Sequence, residues 1–168
     1  MTEWKIKSGE IIPYTESADK LPAISKYYDY DEGAPGKSAQ SNGITCIYRY
    51  AEVLLMYAEA STRATNSVNQ DALNAIQEVQ KRAGYQDRQI ELTTTTEPTA
   101  FLAAVSNERG WEFFAEMKRW FELVRLEKVK EVRAEEWDAS TFNTNHHYYF
   151  PVPYQQVDLA GWTNNAGY

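Results

Sequence analysis

From Tyr50 to Gly84 the apolar residues fall at helical spacing in two successive runs, and this pattern constrains the fold more than any other feature of the sequence. In the first run Tyr50, Val53, Leu54, Tyr57 and Ala58 occupy an i, i+3, i+4, i+7, i+8 stripe. The run fades at Thr65-Asn66. Ser67 and Gln70 have the S-x-x-Q spacing of a capping box, after which Ala72, Ala75, Ile76, Val79 and Ala83 repeat until Gly84 supplies a stop. The pair predicts a helical hairpin. Ala72, Ile76 and Val79 match the A-x3-F-x2-A spacing of a tetratricopeptide second helix. One such repeat cannot bury its own face, so apolar surface on the hairpin is expected to stay open.

The flanks differ in character. Residues 1–43 show no sustained period and are punctuated by Pro13, Pro22, Gly33, Pro35, Gly36 and Gly43. They read as an irregular loop region, with Ile11-Ile12 and Ala23-Ile24 as short strands or anchor points, ahead of a helical domain over 44–168. Beyond the polar linker Thr93-Thr94-Thr95-Thr96, Pro98 suits a first helical turn. A helical run follows to about Lys130, and Gly110 is expected to divide or kink it. The stretch from Trp137 to Tyr168, with Pro151 and Pro153, reads as a mostly irregular tail. The expected class is all-α, built of tetratricopeptide-like hairpins with long irregular loops.

Charge and composition exclude several functions. A net charge of −7 makes the nucleic-acid backbone and anionic bilayers poor partners. The longest apolar run, Val53 to Ala58, is far short of the roughly 20 residues a spanning helix needs. The single cysteine, Cys46, forbids an internal disulfide and is expected to be a small buried hydrophobe. His146 and His147 are adjacent, so on an extended segment they point apart and do not share a metal. Asp29, Asp31 and Glu32 lack the spacing of a calcium loop. The phosphate-binding, nucleophile-elbow and zinc-protease motifs are absent as well, so no metal or cofactor is expected.

The densest charge pattern is Glu108, Arg109, Glu112, Glu116, Lys118, Arg119, Glu122 and Arg125. Glu108, Glu112 and Glu116 share one helix face and repel one another unless partnered. A carboxylate pair for glycoside hydrolysis needs roughly 5 to 9.5 Å between its members, and one helical turn reaches the lower end. The reading preferred is a structural ion lattice of Arg49, Glu52, Glu108, Arg109, Glu112, Glu116, Arg119 and Arg125, helped by Glu59, Arg63 and Arg82, because bidentate arginine–carboxylate ties are common structural devices. Aromatic residues at Trp4, Tyr14, Tyr27, Tyr28, Tyr30 and Trp137 lie in expected loops, where flat rings either stack on sugars or pin the loop to the helices.

Five ordered blocks make the sequence recognisable. Arg49-Tyr50-Ala51-Glu52-Val53-Leu54-Leu55-Met56-Tyr57-Ala58-Glu59-Ala60 resembles the RYAEVLLMYAEA helix of the SusD/RagB family. Ala75-Ile76 through Gln80-Lys81-Arg82-Ala83-Gly84 is similar to its A-I-N-x-V-R-x-R-A-G helix, and Asn107-Glu108-Arg109 through Glu112-Phe113 to its N-E-R-R-x-E-L block. Glu116 to Arg125 resembles E-G-x-R-W-F-D-L-x-R, while Phe150-Pro151-Val152-Pro153 and Asn165-Ala166-Gly167-Tyr168 resemble L-P-I-P and N-P-G-Y. Against the family pattern, Gly110 stands for a usual Arg, Met117 for Gly, Glu122 for Asp, Gln156 for Glu and Ala166 for Pro.

The resemblance implies a non-catalytic surface lipoprotein of Bacteroidota that captures oligo- or polysaccharide for a SusC-like TonB-dependent outer-membrane transporter. It covers only the C-terminal part of such proteins. Their signal peptide, their lipidated N-terminal cysteine and their N-terminal helical repeats have no counterpart here, and self-association of the chain is expected in their absence. Trp4 and Tyr14 are the candidates for a remnant of the glycan site. Two other readings are a stand-alone helical protein-interaction module and a glycoside hydrolase, the latter resting only on Glu108, Glu112 and Glu116.

Overall fold

A computed structural model describes residues 3–5, 11–16, 26, 46–132 and 148–168. The chain forms two compact units, Met1–Ala115 and Glu116–Tyr168. In the first, strands β1 (Glu3–Lys5) and β2 (Ile11–Pro13) pair antiparallel, with Trp4 opposite Ile12, and a 3-10 turn follows at Tyr14–Glu16. The strand expected at Ile11-Ile12 is present. Its partner at Glu3–Lys5 belongs to the alternating run Glu3-Trp4-Lys5-Ile6-Lys7, which the sequence reading passed over. Three helices then make the body: α1 (Tyr50–Thr65), α2 (Gln70–Arg82) and α3 (Pro98–Glu112). The class is helical, with this ribbon as its sheet component among the described residues.

Each helix has a local cause. α1 ends at Asn66, whose φ of 47° is the left-handed stop that asparagine tolerates. α2 is capped two residues beyond the expected position: Asn69, not Ser67, accepts the Ala72 amide at 2.8 Å. Asn69 sits one residue before the helix, where its short amide oxygen reaches the third amide, and Ser67 lies two residues too early. At the other end Tyr85 N–H donates to the Gln80 carbonyl and Gly84 N–H to that of Lys81, with Gly84 at φ 76°. That is a Schellman closure, which only glycine enters without steric cost. Glu97 caps α3 by accepting the Thr99 and Ala100 amides at 2.9 and 2.5 Å, and Pro98 follows at the first helical position.

The core of this unit is Leu55 and Ala58 from α1, Ala72, Leu73, Ala75, Ile76 and Val79 from α2, and Phe101, Val105 and Phe113 from α3 and its cap. The tetratricopeptide-spaced Ala72, Ile76 and Val79 are all buried. α1 packs against both α2 and α3. Its covered side differs from the apolar stripe seen in the sequence. Glu52, Leu55, Ala58, Glu59 and Thr62 are buried, whereas Tyr50, Val53 and Tyr57 are exposed. The two carboxylates share that side with the core residues Leu55 and Ala58 and have the arginine neighbours described below. Cys46 is exposed, not the buried hydrophobe expected, because it lies ahead of α1 and outside the core.

The long helical run does not break at Gly110, which stays inside α3. It breaks at 113–118, where Ala115 and Met117 have φ of 65° and 59°. Two left-handed residues so close together cannot continue a helix. The second unit holds α4 (Arg119–Arg125), α5 (Val129–Val132) and α6 (Tyr154–Ala160). Lys128 N–H to the Leu123 carbonyl and Glu127 N–H to that of Val124 close α4, letting Leu123 and Val129 pack with Trp120, Val124 and Tyr148. The segment expected to be irregular contains α6, whose left-handed stop is Gly161. Its end returns on itself: Asn164 Oδ1 accepts the Val152 amide, Asn165 Nδ2 donates to the Phe150 carbonyl, and Tyr168 Oη to that of Tyr149. None of the described helices is long and apolar enough to cross a membrane.

Candidate functional site

The charged residues singled out in the sequence separate into distinct groups. Glu112, in the last turn of α3, is gripped from two sides. Arg49 Nη1 donates to its Oε1 at 2.7 Å and Arg82 Nη2 to its Oε2 at 2.5 Å. Arg49 Nη2 also reaches the Glu112 backbone carbonyl at 3.1 Å, and Lys26 Nζ donates to the carbonyls of Glu112 and Phe114 at 2.7 and 3.2 Å. Three cations thus meet the carboxylate and the open carbonyls at the negative end of α3, the charge sign that a helix C-terminus favours. Arg49 and Arg109 both lie over the Phe113 ring, 4.9 and 5.4 Å from its centre. Arg109 Nη2 stands 3.7 Å from Glu52 Oε1, both nearly enclosed.

Glu108 has a different setting. It is 1% exposed and accepts at Oε2 from Tyr85 Oη at 2.8 Å and from Gln80 Nε2 at 3.1 Å. Burial pushes its carboxyl up from the ordinary range, with the charge of Glu112 adding to the effect and the two hydrogen bonds and Arg82 opposing it. Burial and the bond to Glu108 push the Tyr85 phenol up in turn. The Schellman closure at Gly84 is what turns Tyr85 back toward α3. Gln80 also ties down the linker: its Oε1 accepts the Thr93 amide at 2.9 Å and its Nε2 donates to Thr93 Oγ1 at 2.8 Å, while Gln77 Nε2 donates to the Thr93 carbonyl at 2.8 Å. The roles of Tyr85 and Thr93, in linkers, and of Gln80, a polar residue on the covered side of α2, escaped the sequence reading, since such residues carry no apolar periodic signal.

Two further pairs involve the remaining predicted residues. Arg63 bonds Glu59 along α1 at 2.8 Å. In the second unit Arg119, the first residue of α4, pairs with Glu122 one turn on at 3.2 Å. Arg125 is the last residue of α4. Among the described residues no three metal-ligating side chains converge. The histidine pair, Trp137 and the acidic residues at 29, 31 and 32 lie outside the described residues.

Trp4 lies in β1 and Tyr14 two residues beyond Ile12, the residue paired with Trp4. Trp4 is the middle residue of β1, and Tyr14 follows the Pro13 that pairs with its neighbour Glu3. Their side chains lie outside the described part of the structure.

A family model described as the SusD family matches residues 2–168. The chain belongs to the SusD family. Relatives of this SusD-family chain include two from Formosa agariphila. SusD-like protein P2 is 29% identical over 96% of this chain and 34% of its own length, and SusD-like protein P25 is 27% identical over 83% and 26%. Two crystal structures share the fold at 29% identity: a SusD homolog from Bacteroides thetaiotaomicron (TM-score 0.62, 73% of this chain and 26% of that one) and a SusD superfamily protein from Parabacteroides distasonis (0.61, 73% and 27%). The chain thus spans about a third or a quarter of the length of the relatives it matches.

Proposed function

We propose that this chain serves in a non-catalytic glycan-binding protein of a nutrient-uptake system, capturing oligo- or polysaccharide at the cell surface for a SusC-like TonB-dependent outer-membrane transporter. The observation that carries the reading is the family match along residues 2–168. The state of the acidic residues supports it from the side of chemistry. Both oxygens of Glu112 are held by arginines, and Glu108 is enclosed with a tyrosine and a glutamine. A glycosidase acid or nucleophile has to face a bound sugar with an oxygen free to act; Glu112 has neither oxygen free, and Glu108 is 1% exposed. Attachment of the intact protein to the outer membrane through an N-terminal lipid is part of the same reading.

On this view Trp4, in the ribbon, and Tyr14, which follows it, contribute stacking surface to the glycan site. Native electrophoresis of the intact protein through gels carrying a panel of polysaccharides tests both statements. Retardation by at least one polysaccharide is expected, with loss of part of it in Trp4→Ala and Tyr14→Ala. Free migration through the whole panel overturns the glycan reading, and retardation unchanged by both substitutions removes the two aromatics from the site.

A further inference from the structure

The chain between α2 and α3 is fastened to the helices at two places. At its start Tyr85 is held by its own turn, its carbonyl accepting the Arg88 and Ile90 amides at 3.1 and 2.8 Å. Residues 91–96 have no regular structure, and among the described residues their hydrogen bonds to α2 all converge on Thr93. Each polar group of Thr93 is taken by a glutamine: the carbonyl by Gln77, the amide and the hydroxyl by Gln80. Gln80 spends its second N–H contact on Glu108 Oε2 at 3.1 Å. Its three partners fix which way its amide faces, because a flipped amide would set N–H against the Thr93 N–H. Tyr85 Oη donates to the same Glu108 oxygen at 2.8 Å. Both fastenings of the segment therefore end on one enclosed carboxylate oxygen of α3.

That carboxylate is poorly placed to hold a charge. An ionised carboxyl without water needs its lone pairs met by donors and cations. Of the charges that face Glu108, Glu112 repels it from one turn along α3, and Arg82 of α2 attracts it but is already bonded to Glu112 and is largely exposed. The carboxylates of α1 are engaged elsewhere, Glu52 beside Arg109 and Glu59 with Arg63. On the segment itself Asp87, Arg88 and Glu91 are exposed. The neutral acid suits the site, since both donors come to Oε2 and their bonds persist when Oε1 carries the proton. Burial accordingly holds this carboxyl above its ordinary 4.5. Lifting the segment takes Tyr85 away, admits water and returns the carboxyl toward the ordinary value, so loss of the proton and opening favour each other.

We propose that residues 85–96 form a proton-controlled strap, closed over Glu108 while that carboxyl is neutral and released from α2 at Thr93 when it ionises. The device is independent of the glycan reading, since it needs only α2, α3 and the chain between them.

Amide hydrogen exchange of the whole 168-residue chain, followed residue by residue by NMR from about pH 4 to 7, tests it. Each rate, divided by that of the same amide in an unstructured chain, gives an opening constant. The Thr93 amide is expected to open more readily than those of Val79 and Val105, buried within α2 and α3. Its opening constant is expected to rise by up to about tenfold per pH unit between the ordinary carboxyl value and the raised one, and to level off above that. Glu108→Gln abolishes the rise; Asp87, Glu91 and Glu97 are common to both proteins and cancel in the comparison. Tyr85→Phe keeps the carboxyl but removes one donor from it, which carries the rise to higher pH. Thr93 exchange no faster than that of Val79 and Val105 overturns the proposal, because no strap then opens apart from the fold. A constant that is flat with pH, that rises equally in Glu108→Gln, or that levels at an unchanged pH in Tyr85→Phe overturns it as well, by taking Glu108 out of control of the strap.

Discussion

Arg49 and Glu112, 63 residues apart in sequence, meet through two contacts, from Arg49 Nη1 to the carboxylate at 2.7 Å and from Nη2 to the backbone carbonyl of the same residue at 3.1 Å. One guanidinium therefore fixes the entry to α1 against the exit of α3. Glu112 is the buried partner, its side chain only 6% exposed, so losing Arg49 leaves a carboxylate in a poorly hydrated place with Arg82 alone.

Arg49→Gln is expected to destabilise the fold by about 2–3 kcal/mol, within the range for breaking a buried charged contact. Arg49→Lys should recover little, because a single ammonium cannot serve both acceptors in that planar arrangement. Arg82→Gln should cost under about 1 kcal/mol, as that side chain is 63% exposed. Urea unfolding of the three variants checks the order. Equal losses for Arg49→Gln and Arg82→Gln would show that both arms of the clamp count alike, contrary to the burial argument.

The start of α2 offers a sharper comparison. Asn69 holds the Ala72 amide and donates through Nδ2 to Ser61 Oγ at 2.8 Å, while Ser67 bonds only the exposed Thr65 hydroxyl. Asn69→Ala is expected to lower stability by about 1 kcal/mol and Ser67→Ala by less than about 0.5. If thermal melts rank the two in the opposite order, the cap is Ser67 after all.

Met117 is the third case. It stands where the family pattern has glycine, at φ 59° and almost fully exposed. A side chain there suffers the left-handed clash of Cβ with the following carbonyl and recovers nothing by burial. Met117→Gly is expected to raise stability by about 0.5–1 kcal/mol, the relief of that clash less the greater entropy of the unfolded glycine. A denaturation midpoint that stays or falls, at unchanged m, would mean that the methionine makes a compensating contact.

How much of this was legible beforehand depends on the range of the interaction. α2 and α3 follow from Gly84, Pro98 and a 3.6-residue period, all local signals. α1 was equally legible as a helix, but not as to which side is covered. Both of its seams repeat at helical spacing, and apolarity favours Tyr50, Val53 and Tyr57, whereas the fold covers Glu52 and Glu59. On the covered side Leu55 and Ala58 join the core with α2 and α3, and Glu52 is accommodated there beside the distant Arg109, which nothing in local spacing reports. Arg49 and Arg82 were named with Glu112 in the expected lattice, but which pairs form, and the Tyr85 and Gln80 partners of Glu108, were hidden for the same reason. The break at 113–118 was misplaced to Gly110 because a glycine within a helix costs only about 1 kcal/mol, which the packing of Phe101, Val105 and Phe113 outweighs. α6 was lost to the prolines before it, although Pro153 sits just ahead of the helix, where proline does no harm.

Glu108 gives the pH dependence. Its ordinary value is 4.5, and burial, reinforced by the charge of Glu112, raises it in the folded state. The folded protein therefore holds this proton more tightly than the unfolded chain does. The stabilisation associated with the neutral carboxyl is fully present below the unfolded value and is lost as pH rises through the higher folded one. Glu108→Gln keeps the shape, retains an oxygen able to accept from Tyr85 and cannot ionise, so it should track the wild type near pH 4 and become the more stable of the two as pH rises toward 7. Glu97 works in the other direction, since its carboxylate is held low by the Ala100 and Thr99 amides and its contribution is lost as pH falls through that lowered value. Because Glu97 is common to both proteins its effect cancels in the difference between them. Urea midpoints of wild type and Glu108→Gln across pH 4 to 7 read that difference directly. A gap that stays constant, or that narrows in favour of the wild type as pH rises, would show that Glu108 is ionised at no cost and that its bonds to Tyr85 and Gln80 outweigh its burial.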